Sequence, residues 1–331
     1  MNASGPSNLN STALDEWSMA STSVACMILS LSFLVGAPGN LLVIWTILKH
    51  IKLRSHTVVL ILHLAVADLL VLFTLPLWIY SLANSWVFGN ATCKAITYII
   101  TACMYSSVFL ISIMSIERYV AIHYPFKMRG WKGLDMLYKC LGVMWFVSFL
   151  LGIPVILIHY VDETDDGTLQ CIFKNYTSVN QELFCLCLES SVGFVIPFSI
   201  LAISYCQVAT QLKQLHSATK QRSTVLISSV VVAFALLWLP HHILNVIDVI
   251  ILSTENSDST PDYRDNFVLI AGALAFISSS VNPVLYAFAA RNFQGGLRGS
   301  GFVKLFLDIA SNSLKAKENS KVQDCTAQTE V

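Results

Sequence analysis

Charged side chains are scarce: they make up 12% of the 331 residues, against 55% hydrophobic, and mean hydropathy is +0.65. Soluble domains carry about 25% charged residues, so this chain cannot dress a large water-facing surface, and a big soluble helical protein is set aside. Formal charge sums to zero, which points to no partner by itself; none of nucleic-acid type is expected. There is no internal repeat of the kind that gives transporters their matched halves with broken helices. No cluster of metal ligands and no nucleophile paired with a base appears, so an enzyme is not indicated and no cofactor is expected. No cleavable leader is expected either: the first sixteen residues are polar and lack a basic start, so the first apolar run is expected to serve as its own insertion signal.

What is present is long apolar runs. A bilayer core takes about 20 apolar residues as helix, because lipid offers no partner for free backbone groups. Seven such runs occur, near 18–48, 57–83, 94–123, 137–161, 183–212, 223–252 and 267–290. Prolines fall inside several, at Pro38, Pro76, Pro154, Pro197, Pro240 and Pro283. Packed membrane helices tolerate them as kinks. The expected fold is an all-α membrane protein, a seven-transmembrane helix bundle over 18–290. It is preceded by a glycosylated extracellular tail at 1–17, and followed by a short amphipathic eighth helix within 291–310 and a disordered cytoplasmic tail at 311–331.

Basic residues set the orientation. Connections after the odd-numbered runs hold Lys49, Lys52, Arg54, Lys127, Arg129, Lys132, Lys213, Lys220 and Arg222. The opposite side is acidic, with Asp162, Glu163, Asp165 and Asp166 in one loop and Glu255, Asp258, Asp262 and Asp265 in another. The N-terminus is therefore expected outside the plasma membrane and the C-terminus inside. Glycosylation triplets begin at Asn2, Asn10 and Asn175, all on the expected outer side; a fourth, at Asn90, lies almost at the membrane. Most cysteines sit within runs, but Cys93 and Cys171 lie on the oxidising face, which makes them the natural disulfide. Cys185 and Cys187 could compete, although their place inside a run argues against them.

Buried charge carries function in membranes. Asp68, the pair Glu117-Arg118, Glu189 and Asp248 stand within or at the ends of runs. Around them are Gly39-Asn40, Leu64-Ala65-x-Ala67-Asp68, Cys93 followed by Arg118, Glu117-Arg118-Tyr119, Trp145, Pro197 with Tyr205, Trp238-Leu239-Pro240 and Asn282-Pro283-Val284-Leu285-Tyr286. This ordered set resembles rhodopsin-like (class A) G-protein-coupled receptors. The resemblance implies that Glu117, Arg118, Tyr119, Tyr205, Asn282, Pro283 and Tyr286 form the G-protein coupling end. It likewise implies that Val108, Pro197, Phe234, Trp238 and Pro240 form the activation switch. Asp68, Ser107, Ser278 and Asn282 resemble that family's sodium site, so an allosteric sodium ion is a candidate ligand, with a water-filled polar network as the alternative.

Several ligand classes drop out. The seventh run has no lysine for a retinal Schiff base, and Ile100 stands where amine receptors carry aspartate. Thr74-Leu75-Pro76 resembles the kink of the chemoattractant branch. Met104-Tyr105-Ser106-Ser107-Val108, Ser278 to Ala287 and Gly301-Phe302-Val303-Lys304-Leu305 are most similar to leukotriene B4 receptors. By that resemblance the pocket is lined by Thr97, Tyr105, His159, Glu189, His241, His242 and Asn245. Where leukotriene receptors carry arginine, at the places of His159 and Glu182, no arginine stands here. The candidate cations are histidines, partly charged near neutral pH, with Lys94 at the rim. The implied ligand is a chemoattractant lipid mediator, leukotriene B4 or a related oxylipin, and the implied partner an inhibitory-type G protein. A peptide or orphan receptor of the same branch is the alternative. In the tail, Ser311, Ser313, Ser320, Thr326 and Thr329 are candidate phosphorylation sites for arrestin. Gln328-Thr329-Glu330-Val331 fits a strand-adding PDZ ligand, with the Thr329 hydroxyl and the Val331 side chain as its anchors.

Overall fold

The computed structural model describes residues 7–51, 55–123, 133–164, 167–212, 218–254 and 264–291. The expected eighth helix, the tail sites with Thr329 and Val331, and Asn2 lie outside the described residues, as do the side chains of Asn10, Arg118 and Tyr205. In chain order the helices are α1 (Ser7–His50), α2 (His56–Leu72), α3 (Leu75–Ala83), α4 (Gly89–His123), α5 (Gly133–Ile158), α6 (Val179–Ser190), α7 (Ile196–Leu212), α8 (Ala218–Ser253) and α9 (Arg264–Arg291). A hairpin of β1 (His159–Glu163) and β2 (Leu169–Lys174) interrupts them after α5.

Seven stretches are long and apolar enough to cross a membrane, and each coincides with an expected run. The chain is thus a multi-pass membrane protein. Large apolar side chains such as Leu34, Leu157, Phe184 and Leu236 point outward, as lipid-facing surface requires. The core lies among α1, α2, α4, α5, α7, α8 and α9, around Leu64, Leu110, Ile111, Met114, Leu141 and Phe234.

Proline shapes two spans. The second breaks at Phe73-Thr74, two residues before Pro76, and the Thr74 hydroxyl donates to the Val71 carbonyl at 2.7 Å. The fifth widens into a π-turn over Ser191–Val195. Pro197 has no N–H for the Gly193 carbonyl, and the wider turn upstream accommodates that loss.

Helices α1 and α9 meet backbone to backbone. A Cβ on Gly36 would sit 2.7 Å from the Ser280 Cβ, and one on Gly39 would sit 2.7 Å from the Pro283 Cβ. The Asn40 amide exploits this approach, donating to the carbonyls of Gly36 at 3.0 Å and Ser279 at 2.9 Å.

Span four was expected to continue to 161, but α5 stops at Ile158 and the chain turns into β1. Hydropathy cannot see this change, because His159 and Tyr160 pair with β2 instead of closing another helical turn. The hairpin is pinned at several points. Cys171 is disulfide-bonded to Cys93 at the start of α4. The Ser81 hydroxyl donates to Gln170 Oε1 at 2.7 Å, and Gln170 Nε2 donates back to the Ser81 carbonyl at 2.9 Å. The Trp86 N–H donates to the Leu169 carbonyl at 2.7 Å. One end of the bundle is thereby roofed by a rigid hairpin.

Candidate functional site

Beneath the hairpin lies a cavity of about 230 Å³. Ile100, Met104, Leu151, Val155 and Phe276 supply apolar wall; Tyr105, His159, Lys174, Tyr176, Glu189, His241 and His242 supply the strongest polar groups. Trp238 also lines it.

Span five and span six join across the cavity. His241 Nε2 stands 2.7 Å from Glu189 Oε1. A carboxylate only accepts, so Nε2 carries the hydrogen of this bond. His241 meets Trp238 edge-on at 6.1 Å and His242 edge-on at 5.2 Å. His242 is itself clamped face to face, 4.7 Å from Phe194 and 5.8 Å from Trp238. Phe194 stacks on Phe198 at 5.3 Å, and Trp238 lies 5.5 Å from Phe234. A continuous ladder of rings therefore runs from the cavity into the core, where Phe234 and Val108 share one buried cluster. Pro197 is buried beside the π-turn, and Pro240 lies inside α8.

The remaining pocket expectations divide. Tyr105, His159, Glu189, His241 and His242 line the cavity; Thr97 and Asn245 do not. Thr97 is spent locally, its hydroxyl donating to the Cys93 carbonyl at 2.8 Å. Lys174 was missed. It opposes His159 across the hairpin and is the only lysine or arginine among the described lining residues. Burial, and then the Lys174 ammonium, hold the His159 ring at about 4 instead of its ordinary 6.5. His159 is consequently neutral at physiological pH, against the expectation of partial charge.

Deeper, Trp238 Nε1 donates to the Ser278 hydroxyl at 3.2 Å, which donates to the Ala275 carbonyl at 2.7 Å. Asp68 is 1% exposed. It accepts from Asn282 Nδ2 at 2.8 Å and from the Ser107 hydroxyl at 3.4 Å. Three of the four expected sodium ligands thus converge, while Ser278 is turned toward the indole. Among the described residues no group of three or more His, Cys, Asp or Glu could hold a metal ion. Asn282 turns its amide nitrogen, not its oxygen, to the carboxylate.

At the far end, Glu117 is 6% exposed. Thr57 donates to its Oε2 at 2.9 Å, and His56 Nδ1 lies 3.9 Å from its Oε1. The anchor from α2 was not anticipated. Tyr286 is 2% exposed, and Tyr119 lies two residues beyond Glu117 on α4.

A family model described as 7 transmembrane receptor (rhodopsin family) matches residues 39–286. Leukotriene B4 receptor 1 of Bos taurus is 32% identical over 99% of this chain and 93% of its own length. The Homo sapiens leukotriene B4 receptor 1 is 35% identical over 86% and 82%. C-X-C chemokine receptor type 1 of Oryctolagus cuniculus is 30% identical over 89% and 81%. With seven spans, a roofed cavity at one end and a buried acidic anchor at the other, this chain belongs to the rhodopsin family of seven-transmembrane, G-protein-coupled receptors.

Proposed function

We propose that this receptor detects an amphiphilic lipid acid, leukotriene B4 or a related oxylipin, and acts in chemotaxis. The observation that carries this reading is a mainly apolar cavity with one lysine at its roof, in a chain similar to leukotriene B4 receptor 1. Such a cavity suits an acyl chain, and the lysine suits its carboxylate. The reading places the receptor in the plasma membrane with the hairpin end outside, as the basic residues near the spans support.

Ligand binding acts by biasing a two-state packing. A ligand that presses on His242 or Trp238 acts on the ring ladder, and Pro240 is the point about which span six can swing. At the opposite end the swing gives an inhibitory-type G protein access to Arg118, with Tyr205 and Tyr286 closing beside it. Sodium held by Asp68, Ser107 and Asn282 favours the resting packing. Arrestin at the phosphorylated tail and a PDZ domain on Val331 complete the proposed partners.

Similarity to C-X-C chemokine receptor type 1 favours a second reading, a peptide ligand entering under the hairpin. A panel of lipids and chemoattractant peptides, read by cyclic AMP and calcium with and without pertussis toxin, separates the two. Toxin-sensitive responses to hydroxylated fatty acids support the first reading; responses to peptides alone overturn it.

A further inference from the structure

His242 is 4% exposed and lines the cavity, yet neither of its ring nitrogens has a hydrogen-bond partner. Its faces are taken by Phe194 and Trp238, which leaves only the polar edge. A buried donor and acceptor left unmet is costly, and native interiors seldom retain one without a use. One turn along the same helix, Asn245 Nδ2 is also buried without a partner.

We propose that the cavity reads a hydroxylated long-chain monocarboxylate at two points, its carboxylate on the Lys174 ammonium and a chain hydroxyl on the His242 imidazole. The inference rests on the lipid-acid reading above and narrows its ligand class. A neutral imidazole offers one donor and one acceptor. A hydroxyl matches both, since its oxygen accepts and its hydrogen donates. A carboxylate cannot, because it only accepts, and Glu189 already places an anion beside His241, next to this ring. His159 is neutral and cannot hold the acid; Lys174 on the hairpin can. Lys174 belongs to the roof and His242 rests on the Trp238 floor. The acid therefore sits at the mouth and the hydroxyl at depth, with Ile100, Met104, Val155 and Phe276 along the chain between them.

The test compares leukotriene B4 and a panel of monohydroxy eicosatetraenoic acids with their methyl esters and with arachidonic acid, the parent acid without a hydroxyl. Competition binding and nucleotide exchange are measured on the full-length receptor in membranes, for wild type, His242→Phe, His242→Gln and Lys174→Gln, normalised to surface expression. The wild type is expected to prefer a hydroxy acid over the parent acid at least tenfold, and the free acid over its ester at least tenfold. His242→Phe abolishes the first preference, and His242→Gln, which keeps a donor and an acceptor, restores it. Lys174→Gln abolishes the second preference alone. If His242→Phe fails to reach the surface, imidazole ¹⁵N resonances of the wild type decide: hydroxy acid shifts those of His242 and parent acid does not. Hydroxy acids that act equally on wild type and His242→Phe overturn this inference and leave the lipid reading standing. Peptides that act where no lipid does overturn both.

Discussion

The carboxylate of Glu189 and the imidazole of His241, 2.7 Å apart, tie span five to span six across the cavity floor. The tie stands one helical turn from Trp238, so whatever engages it also bears on the ring ladder. Removing either partner strips the other of its bond in a partly buried setting. Glu189→Ala and His241→Ala are each expected to weaken agonist potency at least tenfold, about 1.4 kcal/mol. The double variant should lose less than the sum of the two, because one interaction is removed twice. Concentration–response curves at matched surface expression check this; strictly additive losses would mean the residues act apart.

Thr57 holds Glu117 from a neighbouring helix. Thr57→Val keeps the side chain's volume and deletes the donor, so the Glu117 carboxylate should leave its resting position more often. Basal nucleotide exchange is expected to rise severalfold with agonist affinity preserved or raised. Unchanged basal exchange in both Thr57→Val and Glu117→Gln would show that this anchor does not restrain activation.

Where α1 crosses α9, an added methyl has no room. Gly36→Ala places its Cβ 2.7 Å from the Ser280 Cβ and 2.9 Å from the Ser280 Cα, where backbone cannot yield cheaply. A loss of about 1–3 kcal/mol is expected, seen as a Tm drop of several degrees in detergent. Gly142→Ala, with nothing within 4 Å of its Cβ, is the matched control and should leave the Tm in place.

The His159 ring titrates near 4 in the folded receptor and near 6.5 when freed. Between those values the unfolded chain binds more protons, so stability falls as pH is lowered through that window. His159→Gln should flatten this part of the Tm-against-pH curve. An equal slope in wild type and variant would place the responsible group elsewhere.

Asp68→Asn keeps the shape of the Asn282 and Ser107 contacts and removes the charge. Any sodium-induced loss of agonist affinity in the wild type should vanish in the variant. An equal sodium effect in both would put the ion at another site.

Much of this architecture was legible in the sequence because bilayer thickness imposes a length that apolar runs display directly. Pro76 and Pro197 announced irregular backbone, although neither told that one would break the helix and the other widen it. The Cys93–Cys171 bridge was legible from the oxidising face together with the place of Cys185 and Cys187 inside an apolar run. Partners across space were less so. Glu189 and His241 each stood out as polar groups within apolar runs, but their pairing depends on the rotation of two helices. The same rotations turn Thr97 back onto its own backbone and leave Asn245 outside the lining. Lys174 escaped notice because the hairpin carrying it follows from cross-strand pairing, which hydropathy does not register. Thr57 escaped because a threonine in an apolar helix looks inert until its neighbour is a buried carboxylate.

The central claim is that a ligand under the hairpin drives a G protein at the far end through Arg118. The most direct measurement is agonist-stimulated nucleotide exchange on a reconstituted inhibitory-type G protein, with agonist binding measured on the same membranes, for wild type and Arg118→Ala. The prediction is undiminished binding with exchange reduced to the unstimulated level in Arg118→Ala. Full exchange by a normally expressed Arg118→Ala receptor would contradict the account.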